Sequence, residues 1–283
     1  MQMTGSVSGM REHVTRLREK GHRIGFVPTM GFLHKGHISL LERAREENDV
    51  LVVSIFVNPT QFGPGEDFEA YPRDMEKDKA LCSEAGTDIL FSPSPQEMYP
   101  AGFRTTVSVS GLTEGLCGAS RPGHFDGVCL VVAKLLNIVQ PHRAYFGLKD
   151  YQQFKVIDRM VNDLNMDTEI VGLPTVREPD GIAMSSRNSY LTKDERKSAL
   201  VLSRSLEHAK RLVSQGVREA STIEAGVREM IGERPFTAID YVSVVDVEEL
   251  TAVQTVEGRA LLALSVNIGR ARLIDNAILE ACD

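Results

Sequence analysis

The sequence predicts an α/β chain, and three observations carry that expectation. "DVLVVSIFVN" (49–58) is an almost unbroken apolar, β-branched run, the mark of a strand covered on both faces. Short runs of this kind alternate with amphipathic stretches of helical period through the first 173 residues, a pattern that builds parallel strands joined by crossover helices. Polar, mostly glycine-bearing punctuation falls where the strands end, in "PTMGFLHKGH", "NPTQFG", "GLKDYQQ" and "REPDGIAMSSRN". In wound sheets of this sort, ligands gather beyond the carboxyl ends of the strands. The expected architecture is α/β: a Rossmann-like parallel sheet domain over residues 1–173, with a smaller α+β C-terminal domain over 174–283.

The elements follow in order. Residues 8–20 carry Met10, Val14 and Leu17 at helical spacing among charges, so they form a first amphipathic helix. "RIGFVPT" (23–29) is a short buried strand, and "GHISLLERAREE" (36–47) is a helix with Ile38, Leu41 and Ala44 turned inward. After the strand at 49–58 come a long loop rich in Gly and Pro, 59–72, and a charged helix ending near residue 85. "TDILFSP" (87–93) and "RTTVSVSG" (104–111) read as two further strands, and "HFDGVCLVVAKLLNIV" (124–139) as a strongly apolar helix. "AYFGLKD" (144–150) is a strand running into a turn, 151–163 a helix and "TEIVGLPTV" (168–176) another strand. Beyond that, helical segments at 192–215 and 219–232 precede a β pair, 238–246 and 259–269, and a last strand or turn at 271–278.

Composition narrows the function classes. At 283 residues, 42% hydrophobic and 25% charged, the chain has the make-up of an ordinary globular protein and the length for two domains. Its net charge of −7 divides into −4 before Pro174 and −3 from there on. Tracking a polyanion needs clustered Lys and Arg, so nucleic acid is not an expected partner. Cys82, Cys117, Cys129 and Cys282 show no CxxC spacing and read as free thiols of a reducing compartment. The N-terminal stretch lacks the apolar core of a signal peptide, and "VCLVVAKLL" is interrupted by Lys134 and too short to span a bilayer. The expected setting is cytoplasmic, with no membrane partner.

Four stretches could carry chemistry. In "HKGH", His34 and His37 lie about one helical turn apart where a strand hands over to a helix. Three readings stay open from the residues alone: helix capping or packing, a phosphate site, or a metal site. Zinc would need a third ligand, and the HExxH spacing is absent. Gly36 lets a phosphate approach the backbone, the helix N-terminus favours an anion, and imidazoles can donate to phosphate oxygens. "MSSRN" (184–188) offers two hydroxyls and a guanidinium able to wrap a pyrophosphate, or else is a solvated turn. "GLKDYQQ" (147–153) presents Lys149 and Asp150 beyond a strand, as a site or as a helix cap. Gln61 and Gln153 are neutral amides able to read a carboxylate or hydroxyl, though most glutamines are simply exposed.

An HxGH helix start with a Ser-Ser-Arg loop at the far end resembles the nucleotidyltransferase arrangement shared with class I aminoacyl-tRNA synthetases. There the first motif contacts the α and β phosphates, and the later loop closes over the departing pyrophosphate. "PTMGFLHKGH", "SIFVNPTQF", "YPRD", "RPGHFDGV", "YFGLKDYQQ" and "PTVREPDGIAMSSRN" occur in the order and approximate spacing of the pantoate–β-alanine ligase (pantothenate synthetase) family, over residues 24–191. Leu148 is a departure, since that family often has a polar residue there.

The resemblance implies an ATP-dependent ligase that forms an amide in two steps. ATP and pantoate give pantoyl adenylate and pyrophosphate; the β-alanine amine then attacks the acyl carbon, releasing AMP and pantothenate. It implies His34, His37, Lys149, Ser185, Ser186 and Arg187 as donors to the leaving phosphates, with Asn58 steadying the acyl adenylate. It further implies Met30, Gly31, Gly36, Arg121, Gly147, Asp150, Val176 and Met184 at ATP, with Arg121 and His124 covering the phosphate mouth. Gln61, Gln153 and Met30 would meet pantoate, and Asp78 would lie on the side of a Mg²⁺ ion. Alone on the charged "EKDK" helix, Asp78 would otherwise read as part of a solvated face. A homodimer, with the C-terminal domain as a lid over the ATP site, is also implied. A transferase stopping after the first step would instead need a basic phosphate site in place of the Gln61/Gln153 pair.

Overall fold

The structure, a computed structural model, describes residues 1–281, so Cys282 lies outside it. Two units are distinguished: Met1–Val109 with Arg121–Leu148 and Gln153–Pro174, and Ser110–Ser120 with Lys149–Gln152 and Thr175–Asp283. In chain order the elements up to residue 173 are β1 (Gln2–Thr4), α1 (Val7–Glu19), β2 (Ile24–Thr29), α2 (Lys35–Glu47), β3 (Val50–Ile55), α3 (Met75–Glu84) and β4 (Ile89–Phe91). They continue with α4 (Pro95–Met98), α5 (Leu116–Ser120), α6 (His124–Val139), β5 (Arg143–Gly147), α7 (Tyr151–Asp163) and β6 (Glu169–Leu173).

The first unit is built on a parallel six-stranded sheet in the order β1-β4-β3-β2-β5-β6. Every residue of β3 is buried, as its unbroken apolar run requires in the middle of such a sheet. From β2 the chain winds through β3 and β4 to one side, then through β5 and β6 to the other, so β2 and β5 flank the switch point. A ligand crevice is expected there, beyond the carboxyl ends of β2 at Thr29 and of β5 at Gly147.

Local sequence explains the helices. Ser6 caps α1 by accepting from the Gly9 N–H, and Met10 and Val14, one turn apart, are buried. On α2 the buried stripe is Leu40, Leu41 and Ala44, while Ile38 is half-buried at the edge of the same cluster, so the inward face is turned slightly from the expected one. Asp74 caps α3 from the Lys77 N–H. α6 is buried around most of its circumference, which accounts for its lack of a polar face. Burial pushes the Cys82 thiol up to about 11 and the Cys129 thiol up to about 12, so both stay protonated and inert at neutral pH.

One expected strand is not formed. Residues 104–109 have no regular secondary structure and belong to neither sheet, with Arg104, Thr105 and Thr106 exposed and Val107 and Val109 half-buried. Strand propensity is a property of side chains packed on a neighbouring strand, and the alternation of small polar and valine residues supplies none. Conversely, β1, α4 and α5 are too short to carry a period of their own.

In the second unit, α8 (Lys193–Ser214) and α9 (Ala220–Gly232) accompany an antiparallel sheet of β7 (Thr237–Asp246), β8 (Arg259–Ile268) and β9 (Ala271–Glu280). A capping box between Thr192 and Glu195 starts α8, and Leu202, Leu206 and Val213 carry its apolar face into a core shared with Ile223, Leu262 and Leu264. β9 is a full strand of ten residues, longer than the segment expected at 271–278. Residues 149–152 are tied into this unit by Gln152, whose amide accepts from the Cys117 N–H and donates to the carbonyls of Leu112 and Gly115. Among the described residues, no helix is long and apolar enough to cross a membrane.

Candidate active site

The turn after β2 is held from below by one carboxylate. Asp78, only 1% exposed, accepts from the Phe32 N–H through one oxygen and the Leu33 N–H through the other, each at 2.7 Å. Gly31 has φ +83°, and a Cβ there would stand 2.9 Å from Asp78 Oδ2, so glycine satisfies both the backbone and the space. Asp78 and Cys82 are four residues apart on α3 and share its buried face, so the solvated face suggested by "EKDK" is not where this side chain lies.

The two histidines form an unusual capping box at the start of α2. His34 is the N-cap; its Nδ1 accepts from the Gly36 N–H at 3.2 Å, and His37 Nδ1 accepts from the His34 N–H at 3.3 Å. A neutral imidazole that accepts at Nδ1 carries its proton on Nε2. Both rings therefore present Nε2–H donors, with centroids 4.0 Å apart, at the positive end of the α2 dipole. Capping and phosphate binding, which the sequence offered as alternatives, are compatible here: one nitrogen of each ring caps and the other can donate. Among the described residues no group of three or more His, Cys, Asp or Glu is arranged to hold a metal ion.

Beyond β3, Asn58 caps a short 3-10 turn, Pro59–Gln61. Asn58 is 1% exposed and Gln61 9%, and the Gln61 amide nitrogen lies 3.5 Å from Met30 Sδ. Arg121 and His124 converge on the same turn. Arg121 makes two bonds to Glu66, at 2.7 and 2.5 Å, and a third to the Gln61 carbonyl. His124 Nδ1 lies 2.8 Å from the Gln61 carbonyl, which can only accept, so this ring carries its proton on Nδ1 and receives the Arg121 guanidinium at Nε2. The hydrogen bond from Arg121 holds the Glu66 carboxyl below the usual range despite partial burial. Sequence reasoning missed Glu66; "GPGED" gave no sign that one of its acids would meet an arginine 55 residues away. Gly147 closes β5 opposite Leu173, and Gln153 is half-buried on α7.

The second unit gathers the remaining candidates. The Lys149 ammonium lies 3.7 Å from Asp150, and the Lys149 carbonyl accepts from the Asn276 amide at 2.8 Å. Residues 176–184 form a hairpin-like turn in which Met184 N–H donates to the Val176 carbonyl and Arg177 bridges Ala183. Arg177 is held by both oxygens of Asp275, which is 3% exposed. Ser185 caps the 3-10 turn Ser186–Tyr190, its hydroxyl oxygen accepting from the Arg187 N–H. Lys149, Ser185 and Asp275 line one small cavity whose apolar wall includes Ile182, Leu202 and Leu273. Ser186 is buried, and Asn188 is fixed to Glu178 and the Ala183 carbonyl.

Comparison with known proteins gives a consistent answer. Residues 2–278 match the family described as pantoate-beta-alanine ligase. A pantothenate synthetase of Moorella thermoacetica is 55% identical over 283 residues, covering 100% of each chain. The crystal structure of a pantothenate synthetase from Thermus thermophilus superposes with a TM-score of 0.93 at 48% identity, over 98% of this chain and 99% of that one. The pantoate-beta-alanine ligase of Francisella tularensis, solved in complex with beta-gamma ATP and beta-alanine, superposes with a TM-score of 0.80 at 34% identity, over 98% and 97% of the two chains.

Proposed function

The chain belongs to the pantoate–β-alanine ligase family, and from that premise we propose how its own residues perform the ATP-dependent condensation of pantoate with β-alanine. In the first step a pantoate carboxylate oxygen bonds to the α-phosphorus while the bond to the bridging oxygen breaks, giving pantoyl adenylate and pyrophosphate. In the second the β-alanine amine bonds to the acyl carbon, AMP leaves with the former carboxylate oxygen, and the amine proton goes to solvent.

The observation that carries the reading is the pair of Nε2–H donors set at the α2 N-terminus by the His34–His37 box. Charge develops on the bridging oxygen and pyrophosphate in the first step, and fixed donors there act without reorganising. His37 is assigned the proton shared with the leaving group, with His34 and the Gly36 backbone alongside; Lys149, Ser185, Ser186 and Arg187 attend the pyrophosphate. Met30 and Gly31 border the nucleotide, Arg121 and His124 cover the phosphate mouth, Gly147 and Asp150 hold the ribose, and the backbone of Val176 and Met184 holds adenine. Gln61 and Gln153 grip pantoate. No protein nucleophile is needed, because the substrates attack one another and alignment can supply about 7–11 kcal/mol.

Mg²⁺ is implied by the family, and the donor set fits an ion brought by the nucleotide. One carboxylate, Asp78, lies under the phosphate turn, and Mg²⁺ is usually held by one or two carboxylates plus substrate phosphates. When bound, the ion would neutralise charge developing on the pyrophosphate, while Asp78, whose two oxygens accept from the Phe32 and Leu33 N–H groups, would hold the turn on the ion's side. The chain is further assigned a cytoplasmic homodimer with residues 174–283 as a lid; sedimentation at the mass of one chain would contradict the dimer.

The test is to mix enzyme, ATP and pantoate with β-alanine withheld. One equivalent of pyrophosphate per active site is expected, and AMP only after β-alanine is added. Pyrophosphate that appears solely in the presence of the amine would overturn the two-step reading.

A further inference from the structure

The polar turn Asn58–Gln61 contains more hydrogen-bonding than capping requires, and its polarity can be worked out atom by atom. Asn58 is 1% exposed, so each of its amide atoms must be satisfied inside the protein. Its Nδ2 donates to the Gly127 carbonyl at 3.1 Å and to Gln61 Oε1 at 3.0 Å, using both hydrogens. Its Oδ1 accepts from the Tyr99 hydroxyl at 2.8 Å, the Thr60 hydroxyl at 3.0 Å and, more weakly, the Thr60 N–H at 3.4 Å. The reverse orientation would set Asn58 Oδ1 against the Gly127 carbonyl and its NH₂ against the Thr60 N–H, pairing acceptor with acceptor and donor with donor.

That fixed amide dictates the next one. Since Gln61 Oε1 faces an Asn58 N–H, the Gln61 nitrogen must point the other way. The acceptor it finds there is Met30 Sδ at 3.5 Å, a weak one, for a side chain 9% exposed. A buried NH₂ group resting on a thioether is set to exchange it for an oxygen. We propose that Tyr99 is a positioning residue for pantoate recognition: its hydroxyl, acting through Asn58, holds the Gln61 amide with nitrogen outward, so that Gln61 reads an acceptor oxygen of the substrate. This rests on the reading that Gln61 grips pantoate.

The setting of Tyr99 supports a fixed donor. Its ring packs between Phe56 and Phe103, with centroids at 6.2 and 5.3 Å, and the Lys134 ammonium lies 5.6 Å from the ring centroid. Burial raises the phenol above its ordinary range, so the hydroxyl keeps its proton throughout the neutral region. Tyr99 follows α4 immediately, and Met98 is fully buried, so the backbone that carries the phenol is anchored in the core. On this view Asn58 serves the acyl adenylate by holding the turn, because both of its amide hydrogens are already used.

The experiment is a steady-state comparison of Tyr99→Phe, Gln61→Ala and the double variant in the full-length enzyme. Tyr99→Phe removes one oxygen and is expected to raise KM for pantoate about tenfold, one hydrogen bond's worth, with kcat and KM for ATP within about twofold of the parent. A merely structural role would move thermal stability and both KM values together. Gln61→Ala should raise KM for pantoate at least as much, and adding Tyr99→Phe to it should raise KM no further. If Gln61→Ala raises KM for pantoate but Tyr99→Phe leaves it unchanged, the positioning role is overturned and the assignment of Gln61 survives. If Gln61→Ala itself leaves KM unchanged, the assignment of Gln61 falls, and this inference with it. Should Tyr99→Phe fail to fold, Asn58→Asp takes away the N–H that faces Gln61 Oε1 in a side chain of the same shape, and an unchanged KM for pantoate there overturns the relay from Tyr99 to Gln61 equally.

Discussion

Replacing His37 with alanine is expected to lower turnover by at least about 100-fold while the fold persists, the loss found when one fixed donor to a developing oxyanion is removed. The structure separates two contributions of this ring. Nδ1 caps the His34 N–H at 3.3 Å, a bond worth about 1 kcal/mol at a helix start. Nε2–H is the donor assigned to the leaving phosphate. His37→Glu distinguishes them, because a glutamate at the third helical position completes a capping box but donates nothing. Its melting temperature should return to that of the parent while turnover stays at least about 100-fold down. A turnover near normal in His37→Ala, measured by AMP release, would remove this ring from the chemistry.

A second large loss is expected at Gly127, which has no side chain to offer a substrate. α6 meets the Pro59–Gln61 turn backbone to backbone, and a Cβ at Gly127 would stand 2.6 Å from Gln61 Cα and collide with the Thr60 carbonyl. Neither neighbour is the far end of a flexible side chain, so the helix or the turn must move. The displacement breaks the bond from Asn58 Nδ2 to the Gly127 carbonyl and with it the reference for the Gln61 amide. Overpacking of this kind costs about 1–3 kcal/mol of stability. A shift of about 1 Å at a substrate-gripping group costs about 100-fold in kcat/KM for pantoate. Gly232→Ala, where an added methyl meets nothing within 4 Å, is the control and should match the parent in both measurements. Unaltered kcat/KM in Gly127→Ala would show that the turn does not need its present register.

Much of this was legible in the chain because it is local. The unbroken run of β3 and the helical spacing of Met10 and Val14 on α1 each involve residues within a few positions of one another. The HxGH turn was legible for the same reason, although the sequence could not say that one nitrogen of each ring is used in capping. What stayed hidden depends on distance along the chain. Asp78 looked solvated because its partners, Phe32 and Leu33, lie 46 and 45 residues away; the sign that was present was Cys82 four residues on, marking an inward face of α3. Tyr99 gave no local sign of its bond to Asn58, 41 residues earlier. The error at 104–111 runs the other way: strand-forming residues make a strand only beside another, and the sequence cannot show that none is there.

The most direct test of the whole account is the protonation of two rings. Long-range proton–nitrogen spectra of enzyme labelled with nitrogen-15 in its histidines read the tautomer of each imidazole. His34 and His37 are both expected to carry their proton on Nε2 in the free enzyme, and saturating ATP is expected to shift those Nε2 signals while the Nδ1 signals hold. A proton on Nδ1 of either ring, or Nε2 signals indifferent to ATP, would contradict the claim that these histidines cap with one face and bind phosphate with the other.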